Sequence, residues 1–167
     1  MGITELAVLL AGFALAHAAW SISDVPKDEL LVPLAIVQDT NGQRHVQRFE
    51  AESQVEAVEA GKAAMAKLVG GTSSYAFVRE GLLPINGVKS DILTLDFWSP
   101  GMEKPVTVIQ QFRPAWSTDG FQVVGDPMIV IDGRQQPAEN MREVVALLRA
   151  GIAQHGKAGP LWSSWVK

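Results

Sequence analysis

Residues 88–98 read VKSDILTLDFW and residues 104–113 read KPVTVIQQFR, with Ser99-Pro100-Gly101 between them. In the first run Leu93, Leu95 and Phe97 alternate with Ile92, Thr94, Asp96 and Trp98, the period-two pattern of a strand whose two faces meet different surroundings. Ser-Pro-Gly is turn chemistry, and the gap leaves no room for a crossover helix, so the two runs must pair antiparallel. Working outward, Ser74 to Glu80, Phe121 to Val124 and Met128 to Ile131 are also strand-like. Their separators, Pro84-Ile85-Asn86-Gly87, Ser117-Thr118-Asp119-Gly120 and Asp132-Gly133, are turn formers too. An antiparallel meander of five segments is the result.

Upstream, the apolar run Leu30 to Val37 and the segment Arg44 to Glu50 flank Asn41-Gly42, a pair that tolerates positive φ and marks a β-hairpin. Pro33 cannot donate to a ladder, which places an edge or bulge there. Ser53-Gln54-Val55-Glu56 is a capping box. It opens a helix with Val55, Val58, Met65 and Leu68 on one face and Gly70-Gly71 as its stop. Pro137 at a first helical turn opens another, with Met141, Val144, Leu147, Leu148 and Ile152 at helical spacing and Gly156 at its end. The aromatic tail Leu161 to Trp165 is expected to dock. The fold class expected is α+β: an antiparallel β meander with a hairpin, and about three helices packed mainly on one face. One domain covers residues 1–167, with 47% hydrophobic residues to fill its core.

The first of those helices is the apolar run Leu6 to Trp20, broken only by Gly12 and His17. A secretory signal at residues 1–18 would open on cations, whereas Glu5 is the one charge before the run. A membrane span needs about 20 apolar residues without a histidine. A buried helix capped near Gly2 or Thr4, with Glu5 in its first turn, meets fewer objections. Being apolar nearly all round, it asks for more cover than one surface of a small domain gives, and burial against a second subunit is a natural solution.

Fourteen Lys+Arg against 18 Asp+Glu give a net charge of −4, with the basic residues scattered, so nucleic acid is not an expected partner. A membrane is not an expected partner either, and the location expected is cytoplasmic. With no Cys, thiol nucleophiles, disulfides and thiolate metal sites are excluded. His17, His45 and His155 lack metal-ligand spacing, so neither metal nor cofactor is expected. His17 reads as a satisfied buried imidazole, and His155 as a cation complementing the dipole at the end of the last helix. Gly151 to Ala158 imitates a phosphate-binding loop, but Ala158 replaces the required hydroxyl and the string closes a helix.

The surface that could carry function is the mixed sheet face. In register it gathers Tyr75, Phe77 and Arg79 with Asp96 and Trp98, then Thr107, Ile109, Gln111 and Arg113. Aromatic and Arg side chains with a few amides and carboxylates suit a ligand groove or an interface. A partly solvated outer face with Arg-Asp pairs is the plainer alternative. The candidate ligand-binding residues are Tyr75, Arg79, Asp96, Trp98, Gln111 and Arg113. The function expected is a non-catalytic binding or assembly module, homodimeric through the first helix or this face. The alternative is a small-molecule-binding or hydrolytic enzyme with its pocket there and Asp96 or a histidine as base.

Overall fold

Asn86 and Gly87 both take positive φ, 52° and 79°, and so do Asp132 and Gly133, 54° and 72°. Two consecutive left-handed residues give the two-residue hairpin turn whose twist matches the flanking strands. In the computed structural model, which describes residues 2–167, each of these turns joins two paired strands. The elements are α1 (Glu5–Ile22), β1 (Leu34–Gln38), β2 (Arg44–Arg48), α2 (Gln54–Ala66), β3 (Ser74–Ile85) and β4 (Val88–Trp98). After them come β5 (Val106–Arg113), β6 (Gln122–Ile131), β7 (Arg134–Gln135), α3 (Arg142–Ala153) and α4 (Ala158–Trp165). The strands form one antiparallel sheet in the order β2-β1-β3-β4-β5-β6-β7.

Several local expectations shift in detail. Pro33 stands outside β1, which begins one residue later, and its carbonyl accepts the Phe49 N–H. In the first hairpin only Gly42 uses positive φ, while the Asp39 carboxylate accepts from the Asn41 and Gln43 amides. β3 runs on through Pro84, because its second half is paired only with β4 and a missing N–H on the open edge breaks no ladder bond. The segments Phe121 to Val124 and Met128 to Ile131 are one strand, β6, whose pairing with β5 shifts register between Ile109 and Gln111. The aromatic tail is a fourth helix, and the chain end pairs with β6 through a bridge between Val123 and Val166.

Three helices, α1, α3 and α4, lie on the sheet face of Ala76, Val78, Leu93, Leu95, Phe97 and Val108, all of which are buried. The fourth, α2, sits alone on the opposite face, against β3. Its Ser53 cap forms, the hydroxyl accepting the Glu56 N–H at 3.2 Å. The face it buries is Ala57, Gly61 and Met65, whereas Val55 is 73% exposed. Gly61 is the reason: any Cβ there would overlap the Phe77 ring, so the bare backbone lets α2 settle on that ring.

Thr4 caps α1, its hydroxyl accepting the Ala7 N–H and also bonding Ser99. By length and composition α1 could cross a membrane, yet 61% of it is buried inside the chain. The sheet covers one side and α3 the other. The crossing is made at glycines: a Cβ on Gly12 would fall on the Leu148 carbonyl and 3.0 Å from the Gly151 Cα, and one on Gly151 would fall on the Leu9 carbonyl. Most of the apolar surface of α1 is therefore covered within one chain, while Leu6 and Trp20 remain exposed and Leu9, Phe13 and His17 half-buried along one stripe.

Candidate functional site

The register places Tyr75 beside Trp98, Phe77 beside Asp96 and Asp96 beside Thr107, all on the mixed face. Alternation along β3 and β4 turns these side chains toward α2 and away from the main core. At the C-terminal end of α2 the two walls enclose a cleft of about 330 Å³, lined by Lys62, Met65, Ala66, Val69, Tyr75, Phe77, Asp96 and Pro105. Its lining is mostly apolar, and the lining residues that carry polar groups are Lys62, Tyr75 and Asp96.

Asp96 is held on both oxygens. Arg79 Nη1 donates to Oδ2 at 2.5 Å, and the Thr107 hydroxyl donates to Oδ1 at 2.7 Å. The Arg-Asp pair foreseen for a solvated outer face thus exists, but half-buried, at 16% and 25% side-chain exposure. Trp98 forms the layer behind the cleft: it is buried, its ring lies 6.4 Å from that of Tyr75, and its indole N–H donates to the Met102 carbonyl. Burial pushes the Tyr75 phenol up to about 12, the Asp96 charge adds to the rise, and Arg79 partly offsets it. The hydroxyl makes no hydrogen bond among the described residues.

Of the six candidate residues, Tyr75, Arg79, Asp96 and Trp98 form this one cluster. Gln111 and Arg113 lie on the same face but beyond α2: Gln111 is beside Ile92, and Arg113 donates to the Gln122 side chain at 3.2 Å. Lys62, Met65 and Val69 belong to the cleft and were not anticipated, since only the position of α2 brings them there. Around Gln111 the face stays open, with Thr94, Ile109, Val124, Met128 and Val130 half-buried.

No histidine lines the cleft. His45 approaches the Asp39 carboxylate at 3.7 Å on the exposed hairpin. His155 lies past the end of α3, where its Nδ1 accepts two backbone N–H groups. It therefore acts as an uncharged acceptor, in place of the helix-end cation that its position suggested. His17 bonds His155 through Nδ1, but its Nε2 is enclosed and unpartnered, so the imidazole is only half satisfied. The loop-like string Gly151 to Ala158 is the end of α3, the turn after it and the first residue of α4. Among the described residues no cluster of three or more His, Asp or Glu could hold a metal ion. On the helix-covered side the Glu80 carboxylate accepts the Leu31 N–H at 3.0 Å. Burial raises it most, with nearby Asp91 adding and the Leu31 bond opposing.

Protein-family models, curated proteins and solved structures give no match to this chain.

Tyr75 is the only tyrosine, so absorbance near the phenolate band reads this site alone. At pH 11 about one-tenth of the phenol should be ionised, against about nine-tenths for an ordinary tyrosine. Asp96→Asn should move the midpoint down. A raised folded value also means that this group's contribution to stability is complete below the ordinary 10 and is lost as pH rises toward 12. A midpoint at the ordinary value in the folded protein contradicts the described burial.

Proposed function

We propose that the protein is a non-catalytic binding module that takes a small ligand in the cleft between α2 and the mixed sheet face. It works without metal or cofactor. The observation that carries this reading is the state of Asp96: with Arg79 on one oxygen and Thr107 on the other, the carboxylate is a fixed part of the wall. A base that must take up a proton needs a free oxygen within reach of its substrate, and no observation favours Arg79 and Thr107 letting go. The ligand that fits the remaining groups is mostly apolar with a carboxylate at one end. Its body meets Met65, Val69, Phe77 and Pro105, and its anionic end meets the Tyr75 hydroxyl and the Lys62 ammonium.

The same reading makes the protein a homodimer through the open half of the face. Ile109, Val124, Met128 and Val130 are half-buried apolar side chains on this face, away from β3 where α2 sits. Two such faces can stack at the roughly 10 Å spacing of packed sheets. A cytoplasmic location belongs to the proposal; the place of α1 in the core speaks only against its own removal as a leader. A net charge of −4 and scattered cations speak against nucleic acid as a partner, and the buried state of α1 against a membrane.

Octanoate is a suitable probe. Calorimetric titration should show saturable binding that Tyr75→Phe weakens about fivefold, the worth of one hydrogen bond; no binding, or binding indifferent to Tyr75, overturns the ligand reading. In sedimentation at micromolar concentration the protein should be a dimer, and Ile109→Lys a folded monomer. A wild-type monomer overturns the assembly.

A further inference from the structure

His17 on α1 and His155 on the turn between α3 and α4 are 138 residues apart in sequence, yet their Nδ1 and Nε2 atoms lie 3.0 Å apart. The direction of that bond is fixed by what His155 does on its other side. Its Nδ1 accepts the N–H of Lys157 at 3.2 Å and of Ala158 at 2.9 Å. These amides open α4, and Lys157 itself supplies no side-chain cap. A nitrogen that accepts carries no proton, so the His155 proton is on Nε2 and is donated to His17 Nδ1. His17 in turn carries its proton on Nε2, the enclosed atom without a partner. One line of donation is thereby fixed through both rings, starting from the first amides of α4.

We propose that the His17–His155 pair is a proton-operated latch that holds α4 and the chain end on the sheet. A second proton on His155 can only go to Nδ1, where it faces two N–H groups and the cap is lost. A second proton on His17 can only go to its Nδ1, where it faces the His155 Nε2–H. Relief then requires His155 to carry its proton on Nδ1, and the same cap is lost. Protonation of either ring therefore removes the same two bonds at the positive end of a helix, where a cation is least welcome.

What the latch holds is specific. On α4, Trp165 packs edge-on to Phe121 at 5.1 Å. Beyond it the Lys167 N–H donates to the Val123 carbonyl at 2.9 Å, and the Lys167 carbonyl accepts the Gly125 N–H at 3.2 Å. Release uncovers this edge of β6 and opens a cavity of about 380 Å³ lined in part by Gln110, Leu148, Ile152 and Trp162.

The charged groups beside the pair are cations. Arg48 of β2 bears on His17. Arg44 of β2 lies on the Phe13 ring, which packs 5.0 Å from that of His155, and it donates to Gln154. Lys157 is on the turn itself. Burial lowers both imidazoles from the ordinary 6.5, and for His17 the neighbouring His155 and Arg48 lower it further. With the folded values depressed, the unfolded chain binds more protons as pH falls below 6.5. Stability is therefore full above 6.5 and is lost as pH falls from there to the folded values.

Amide hydrogen exchange on the intact protein, corrected for intrinsic rates, reads the latch directly. Between about pH 7.5 and about pH 5.5, protection of residues 158–167 should fall about tenfold, the usual worth of a helix cap, while α2 keeps its protection. His155→Asn retains an acceptor that does not titrate, and it should abolish the difference. Unchanged protection of 158–167, a fall shared equally by α2, or the same fall in His155→Asn overturns the proposal. Should that variant fail to fold, nitrogen NMR of the wild-type imidazoles decides. The proton on Nε2 of both rings at neutral pH is the expected result, and Nδ1 protonation of His155 contradicts it.

Discussion

The fold depends on a place where two helices touch without side chains between them. Gly12 of α1 and Gly151 of α3 let the backbones meet, each glycine facing a carbonyl of the other helix. That closeness lets α3 close over α1 while the sheet covers its other side. A helix of alanines, leucines and valines then finds cover for most of its surface inside a small domain, with only the stripe of Leu6, Leu9, Phe13, His17 and Trp20 left half-buried or exposed. Everything on that side follows from it: α3 is held down, the turn after α3 lands beside His17, and α4 continues across to the end of β6.

On the other face the same device recurs more locally. Gly61 brings α2 onto the Phe77 ring, and the last turns of α2 then overhang Tyr75 and Asp96. The sheet thus separates two environments. One face is closed by three helices and excludes water, while the other is half covered by one helix and keeps the polar side chains that a ligand could use. Arg79 and Thr107 fix Asp96 at the boundary of that cover, and its charge is one reason why the phenol of Tyr75 is hard to ionise.

What could be read from the sequence was what is decided within a few residues. Asn86-Gly87 specifies its own turn, Ser53 its own helix start, and the alternation of β4 its own two faces, so the α+β meander and the joint face of Tyr75, Arg79, Asp96 and Trp98 were legible. Contacts that depend on a missing side chain were not. Gly12 reads as a mere interruption of an apolar run and Gly151 as part of a false phosphate loop until the partner backbone is known, and nothing local marks Gly61 as a contact with the Phe77 ring. Gly125-Asp126-Pro127 resembles a turn, yet β6 runs through it because β5 supplies a partner on both sides of the shift in register. The pairing of His17 with His155 has no local signature, since it is created by the crossing of α1 and α3.

The crossing can be tested by a change that helix propensity alone would favour. Replacing a glycine inside a helix by alanine ordinarily stabilises it by about 1 kcal/mol. If the backbones of α1 and α3 meet at Gly12 and Gly151, the added methyl group must push them apart. Denaturant unfolding of Gly12→Ala and of Gly151→Ala should then show a loss of at least about 2 kcal/mol, as overpacking does, or no folded protein. Either variant unfolding at or above the wild-type midpoint would contradict the account.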